Sequence, residues 1–466
     1  MRQLAGLNEI YNLKDENAKG RLISLLSGLI TAFYNVFITG IFYTGFLSMY
    51  GMSISDVGII SFIPLIANCF SVFSSSVLKH FPRRKPILLA AKVFYYAMYI
   101  LATMWMPKVV LDPQARLTWF AIILFVATAT YALFSPGITT WFYTFYPPDN
   151  EHRARYITLN QIFSSITSSV ILVISGILAD ALANSPKQGQ LILGFRYFAF
   201  FLVLLDVGFQ ACAKEEEHSK ETGVRLKEVF TLPFHYKQFL RCMLMMFAWN
   251  FIANVNNGLW SYHTLNHLHY SYTLQNFIQL LYTAILILTN RTWRKVLNRY
   301  SWIKTFGIAN LLWVPTEIGC FFLTEDRLGL YFVMCFWQHL MSVGLNLAYA
   351  NVLYMNLPEE NSTAHIAFSS IGCNLFAFLG LSFGTKISAI SGDNYYMFLG
   401  TPIYSVQYTT LVRAVMMLTL GLILTLGWKR FTRDEDIRDI EASEAYYRQL
   451  RARRRQNHHS KFNTEG

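Results

Sequence analysis

The chain has 466 residues, of which 54% are hydrophobic, 16% aromatic and only 14% charged. Soluble domains carry about 25% charged residues, so the composition excludes a soluble enzyme, a disordered chain and a small disulfide scaffold. Lys and Arg nevertheless outnumber Asp and Glu by 39 to 27, a formal charge of +12, and on so apolar a chain that excess belongs in the aqueous loops of an all-α polytopic membrane protein.

Residues 1–21 are polar and mixed in charge and read as an N-terminal segment outside the membrane. The apolar run that follows, about 27 residues, is too long for a signal-peptide core of about 7–15. A helix needs about 20 apolar residues to cross the hydrocarbon layer, and this ruler predicts twelve transmembrane helices. The first six run near 22–48, 55–78, 86–106, 117–141, 157–181 and 191–211. The second six run near 238–263, 272–291, 302–323, 328–353, 363–387 and 407–428. Residues 212–237 hold Lys214-Glu-Glu-Glu217 and form the only long charged internal stretch, the expected linker between six-helix bundles at 22–211 and 238–428. Residues 429–466 form a basic tail containing Arg451-Ala-Arg-Arg-Arg455. The tail reads chiefly as an orientation signal, with attraction to anionic headgroups as its other reading. It lacks the aromatic interleaving of single-strand nucleic-acid binders.

Alternating sides along these spans puts 31 Lys and Arg on the side of both termini and seven on the other: Lys108, Arg116, Lys187, Arg196, Arg327, Lys386 and Arg413. The positive-inside rule then makes both termini cytoplasmic, in a bacterial inner membrane or a plasma membrane. Cys69, Cys212, Cys242, Cys320, Cys335 and Cys373 show no metal-ligand spacing and read as small apolar fillers. No metal and no cofactor is expected.

Corresponding loops recur in the two halves. Leu78-Lys-His-Phe-Pro-Arg-Arg-Lys85 is matched by Trp293-Arg-Lys-Val-Leu-Asn-Arg-Tyr-Ser-Trp302, and Pro148-Asp-Asn-Glu-His-Arg-Ala-Arg-Tyr156 by Pro358-Glu-Glu-Asn-Ser-Thr-Ala-His-Ile366. Parallel six-helix repeats are a transporter architecture with the solute site near the midplane. In span count, linker position and loop pattern, residues 22–428 resemble the major facilitator superfamily. Its loop signature after the second span is Gly, three residues, an acid, a base, any residue, Gly and two bases. Arg83 and Arg84 fit the final pair, while Ser75, Lys79 and Pro82 replace the first Gly, the acid and the second Gly. In the second copy Asn298 stands at the acid, Arg299 at the base and Arg294 at a glycine position. The resemblance implies rocker-type alternating access, with Arg83, Arg84, Arg153, Arg155 and Arg299 as candidates for a cytoplasmic gate. Orientation signalling would place the same residues in the same loops.

The resemblance also implies that helices 1, 4, 7 and 10 line the cavity. Independently, polar groups in hydrocarbon are costly and face the bundle interior or a wet cavity. Span seven is the most polar, and Asn250, Asn254, Asn257 and Ser261 fall on one helical face beside Asn256, Trp260 and His263. With Asn35 of span one, Tyr131 of span four, and Trp337, Gln338 and His339 of span ten, these are the candidate solute-binding residues. Asn groups and flat aromatic walls suit a small, polar, mostly uncharged solute. Helix–helix adhesion is the competing reading for an isolated Asn.

Spans one, four, seven and ten hold no Asp or Glu in their apolar interiors, so His339 is the best cavity titrant and the coupling proton or ion is left open. Asp206, Lys92 and Glu317 lie in peripheral spans, where snorkelling or structural pairing is expected, Glu317 with Arg413. The expected partners are a small-molecule solute and the lipid bilayer, with no nucleic acid, and a monomer is expected. Alternative functions are proton-coupled efflux of amphipathic compounds and, in another class, a polytopic membrane transferase using His339 or His263 as base. The absence of a GxxxxGK[ST] loop argues against an ATP-driven pump.

Overall fold

The computed structural model describes residues 16–432 except 82, 148–149, 184, 216–225, 359–361, 391 and 393, together with 437–438. Residues 1–15 of the N-terminal segment, the centre of the linker and nearly all of the basic tail therefore lie outside the described residues.

Helices occupy all twelve expected positions, numbered here as segments 1 to 12. Segment 1 comprises Glu16–Ile38 and Gly40–Met49; segment 2 begins with Ile54–Ala67 and continues through a 3-10 stretch to Leu78. Segment 3 runs from Lys85–Tyr96 through a π turn to Val109, followed by Pro113–Tyr143, Asn150–Ala181 and Pro186–Ala211 as segments 4 to 6. Segment 7 comprises Lys237–Asn254 and Leu259–Tyr262, and segments 8 to 12 are Tyr272–Tyr300, Trp302–Phe321, Leu328–Met355, Ser362–Ser388 and Ser405–Gly427. Among the described residues, ten helices are long and apolar enough to cross a membrane. Segments 7 and 9 fall outside that set: segment 7 breaks after Asn254, and segment 9 dilutes its apolar run with Lys304, Asn310, Thr316 and Glu317.

Local chemistry sets the helix starts. Ser53 and Asp56 form a reciprocal capping box at segment 2. Asp112 accepts from Ala115 N at 2.7 Å ahead of Pro113 in segment 4. The structure corrects the sequence reading at two loops. Trp293–Tyr300 continues segment 8 as helix, because the stretch holds neither Gly nor Pro and Trp293 Nε1 is anchored on Leu340 O at 3.0 Å. The helix ends where Ser301 adopts φ 90°. Likewise segment 5 is already helical from Asn150, inside the expected polar turn.

The two halves follow the same course. Segment 1 packs on 5 and 6, 2 on 4, and 3 on 6; correspondingly 7 packs on 11 and 12, 8 on 10, and 9 on 12. The halves meet through segment 2 against 11 and segment 5 against 8. Inside lipid such contacts are held by close packing rather than by water exclusion, which favours small residues. Gly380 and Gly384 let segment 11 ride directly on segment 7, since a β-carbon at either would strike the carbonyl of Phe251 or Val255. Gly384→Ala is therefore expected to cost about 1–3 kcal/mol by overpacking, read as a lower midpoint in thermal unfolding of the purified protein.

The side on which segments 1 and 7 begin is called the basic face, and the opposite side the far face. On the far face, between segments 11 and 12, the chain forms an unexpected antiparallel hairpin of β1 (Tyr395–Phe398) and β2 (Thr401–Tyr404).

Candidate functional site

Both leading helices of the repeats are interrupted. Segment 1 stops at Ile38 and restarts at Gly40, which takes φ +57°. Segment 7 stops at Asn254 and restarts after Gly258, which takes φ +76°. Left-handed backbone of this kind is readily adopted only by glycine, and the two glycines lie 218 residues apart, one repeat length. A broken membrane helix exposes backbone groups that must find partners or line a wet cavity. Discontinuous helices at matching positions are the common framework of midplane solute sites.

A cavity of about 350 Å³ lies between the halves, at the break of segment 1 and against the part of segment 7 just beyond its break. Segment 1 supplies Asn35, Thr39 and Gly40, segment 5 Ser168 and Leu172, and segment 7 Trp260, Ser261 and Thr264. Segment 8 supplies Gln275, Asn276 and Gln279, and segment 10 supplies Tyr331. Amides and hydroxyls are set among apolar side chains on this wall, and none of its lining residues is charged. A second cavity of about 290 Å³ adjoins it inside the second half, sharing Trp260 and Ser261. Its walls include Trp249, Trp313, Asn257, Gln338 and the Glu317–Arg413 pair.

Arg413 holds the break of segment 7 in shape. Its Nη1 donates to Asn256 Oδ1 at 3.0 Å and to Glu317 at 3.1 Å. Its Nε donates to Ile252 O at 3.2 Å. The expected Glu317–Arg413 pairing is thus present and is completed by an Asn from the break itself. The first half buries a different pair. Lys92 Nζ in segment 3 lies 2.6 Å from Asp206 Oδ2 in segment 6, both side chains almost fully enclosed. Thr31 Oγ1 donates to the same oxygen at 3.2 Å, and the Tyr34 hydroxyl lies 3.5 Å from it. Gln210 Nε2 bridges Asp206 Oδ1 and Ser27 Oγ. Segments 1, 3 and 6 are thereby tied by one polar network.

Arg196 and Arg413, counted from the sequence among far-side charges, are buried within segments 6 and 12. Arg196 Nη2 donates to Tyr99 O at 2.8 Å and to Thr103 Oγ1 at 2.9 Å, and its guanidinium lies 3.9 Å from the Phe46 ring centroid. A charge about ten residues inside a helix reads as a loop charge only if the hydrocarbon boundary is drawn too far inward. Packing of the planar guanidinium on Phe46 offsets only part of the cost of its removal from water, since its Nε and Nη1 have no hydrogen-bond partner among the described residues.

The halves are fastened on the far side of the cavity. Both Asp180 oxygens, at the end of segment 5, accept from the first N–H groups of segment 8: Tyr272 N at 3.0 Å and Thr273 N at 2.6 Å. Asn266 Nδ2 reaches Ser48 Oγ at 3.1 Å, and Asn276 Nδ2 reaches Leu172 O at 2.7 Å. The ring of Tyr272 stacks on Phe42 with centroids 5.3 Å apart, and Gly45 gives its hydroxyl room. In the turn before segment 8, Tyr270 donates to Thr324 O at 2.9 Å, and burial pushes its hydroxyl pKa up to about 12.

Of the residues proposed from the sequence, Asn35 and Trp260 meet at the first cavity, and Asn257, Trp260 and Gln338 at the second. Asn250 donates to Met246 O at 2.8 Å and to the Tyr349 hydroxyl at 2.5 Å, joining segments 7 and 10. Asn254 donates to Asn250 O and accepts from Asn257. The break at 255–258 ends the single face on which the four polar residues of segment 7 were aligned. Tyr131 stacks on Tyr95 at 4.6 Å. Trp337 lies on the outer surface with Nε1 on Leu312 O at 2.7 Å, and His339 is buried against Tyr282. Among the gate candidates, Arg83 is exposed and Arg84 buried. The side chains of Arg153, Arg155 and Arg299 lie outside the described residues.

A broken-helix cavity between two parallel six-helix repeats defines a multi-pass membrane transporter fold. The profile of the Major Facilitator Superfamily matches residues 25–262, just over half of the chain. The chain belongs to that superfamily.

Among solved structures, the nucleoside transporter NupG is similar with a TM-score of 0.63 at 12% identity, over 89% of this chain and 99% of that one. The inward-open xylose transporter XylE from E. coli gives 0.62 at 11% identity, over 91% and 98%. A bacterial homologue of the human lysosomal transporter Spinster, inward-facing and occupied, gives 0.63 at 11% identity, over 91% and 97%. At such identities the likeness is one of fold. No curated protein sequence matches the chain significantly.

Proposed function

We propose that this protein carries a small, polar, mostly uncharged solute across the membrane by alternating access, binding it in the 350 Å³ cavity between the halves. The observation that carries this reading is the lining itself: amides and hydroxyls from both halves, two aromatic walls in Trp260 and Tyr331, and no charged group. Such a wall hydrogen-bonds a polyhydroxylated or heterocyclic solute and offers a cation or anion no counter-charge. Because the far side is fastened, the state described here is read as the one in which the cavity faces the basic side, taken as cytoplasmic. The first half (22–211) and the second half (238–428) are proposed to rock about this cavity, with Arg83, Arg84, Arg153, Arg155 and Arg299 closing the basic face in the opposite state.

Purified protein in liposomes, tested by counterflow across a panel of sugars, nucleosides and other neutral metabolites, checks the reading. With the solute that gives flux, Asn35→Ala and Trp260→Ala are each expected to reduce transport about tenfold, the loss of one buried polar or stacking contact. Trp337→Ala, on the outer surface, is expected to transport at the parental rate. Undiminished flux in both cavity variants would remove this cavity from the pathway.

A further inference from the structure

We propose that the hairpin β1–β2 is a membrane anchor that inserts its tip into the lipid headgroup region of the far leaflet. The register, with Phe398 opposite Thr401, leaves Leu399-Gly400 as a two-residue turn. Both turn residues are left-handed, at φ +49° and +74°. This is the geometry that Asn-Gly or Gly-Gly normally fills. A leucine there is sterically disfavoured, and at 86% exposure it makes almost no protein contact that would offset the strain. In water the side chain would bring only cost. In an apolar medium it is buried.

The rest of the hairpin points the same way. All four residues of β1, Tyr395, Tyr396, Met397 and Phe398, are at least 42% exposed, so both faces of the strand keep large apolar surface uncovered. Water-facing edge strands are normally protected by charges, yet no Asp, Glu, Lys or Arg occurs from Asn394 to Val412. Tyr is instead a residue that collects at membrane interfaces, ring toward hydrocarbon and hydroxyl toward water, and Met397 and Phe398 add apolar surface beside it. The position fits as well. Phe398 packs on Phe321 at the far end of segment 9, with centroids 5.8 Å apart, and Phe321 in turn meets Tyr408 of segment 12 at 5.3 Å. The hairpin therefore sits at the level where these helices leave the bilayer. Large apolar side chains are exposed on either side of it in the chain, at Ile390 near the end of segment 11 and at Val415 on segment 12. Uncharged, aromatic strands held against the far ends of segments 9 and 12 select lipid as the partner, over a second copy of the chain.

Photocrosslinking in liposomes of phosphatidylcholine and phosphatidylglycerol tests this directly. With Leu399 replaced by benzoylphenylalanine, irradiation is expected to give a chain carrying one phospholipid, as the same probe at the lipid-facing reference Val415 does. A chain–chain adduct would assign the face to a second copy, and no adduct of either kind would place the tip in water; both overturn the proposal. Should that variant fail to fold, Leu399→Cys serves. A membrane-impermeant maleimide is expected to label it several times more slowly than Asp326→Cys in an exposed turn, and equal rates overturn the proposal. Neither readout depends on which solute is carried.

Discussion

Lys92→Met is expected to destabilise the protein by about 3–5 kcal/mol, the cost of leaving one member of a buried ion pair without its partner. The reason lies in the enclosure of the pair. Asp206 is fully buried and Lys92 is 4% exposed, so Asp206 cannot turn to water once Lys92 is gone. Thr31 and Gln210 would remain as neutral donors, enough to orient the carboxyl but not to balance a charge. Lys92→Met with Asp206→Leu is expected to recover most of the loss, since a well-packed apolar pair of similar volume often equals or exceeds a buried ion pair in stability. Thermal unfolding of the three proteins in one detergent measures the cycle. A single variant as stable as the parent, or a double variant no better than the single, would show that the pair does not hold segments 3 and 6 together.

The repeat gives this pair its meaning. Arg196 and Arg413 are 217 residues apart, and their partners Tyr99 and Glu317 are 218 apart. Each half therefore ties its sixth helix to its third by an arginine at the same place, with a carboxylate as acceptor in the second half and a backbone carbonyl in the first. Lys92–Asp206 has no such counterpart: one repeat length on from each lie Asn310 and Leu424. The first half has its cross-tie nearer the basic face, where Asp206 also grips segment 1, the helix whose break forms the cavity.

Much of this was legible in the sequence, because a bilayer imposes a fixed length and a fixed solvent on each helix. All twelve helix positions were predicted, and the Glu317–Arg413 pair could be proposed because both residues lie toward the same end of their spans. The Lys92–Asp206 pair could not, since hydropathy does not say which faces of two helices meet. The helix breaks hid for a related reason. Gly40 sits in a membrane span where a glycine is commonplace, while Gly258 follows Asn257 as a turn dipeptide inside a stretch whose polar residues also fit a continuous helical face. Segment 7 misled most: its polar residues align perfectly on a continuous helix, and the break redistributes them between a cavity, an interhelix bond to Tyr349 and the Arg413 network. The hairpin was invisible because its turn is Leu-Gly rather than Asn-Gly, the usual signal.

Asp180→Asn is expected to shift the conformational equilibrium toward the far-open state by about 10–100-fold. A charge-assisted hydrogen bond contributes about 1.5–3 kcal/mol. The carboxylate also faces the positive end of a 29-residue helix. Asparagine keeps one acceptor oxygen but presents N–H to N–H at the other position, so one of the two bonds to segment 8 is lost together with the charge. The contact joins the halves, and its loss acts on the far-side fastening rather than on either half alone. A cysteine at Gln279, on the cavity wall, is the reporter: a membrane-impermeant maleimide added from the far side should modify it faster in the Asp180→Asn background. Ser271→Ala separates this effect from simple weakening of segment 8. Ser271 Oγ caps Leu274 N at 3.2 Å within the second half, so its removal costs about 1 kcal/mol of helix stability without releasing the first half. Faster labelling in both variants would mean that fraying of segment 8 opens the cavity; unchanged labelling in Asp180→Asn would mean that the seal rests on Phe42, Tyr272 and the polar contacts beneath them.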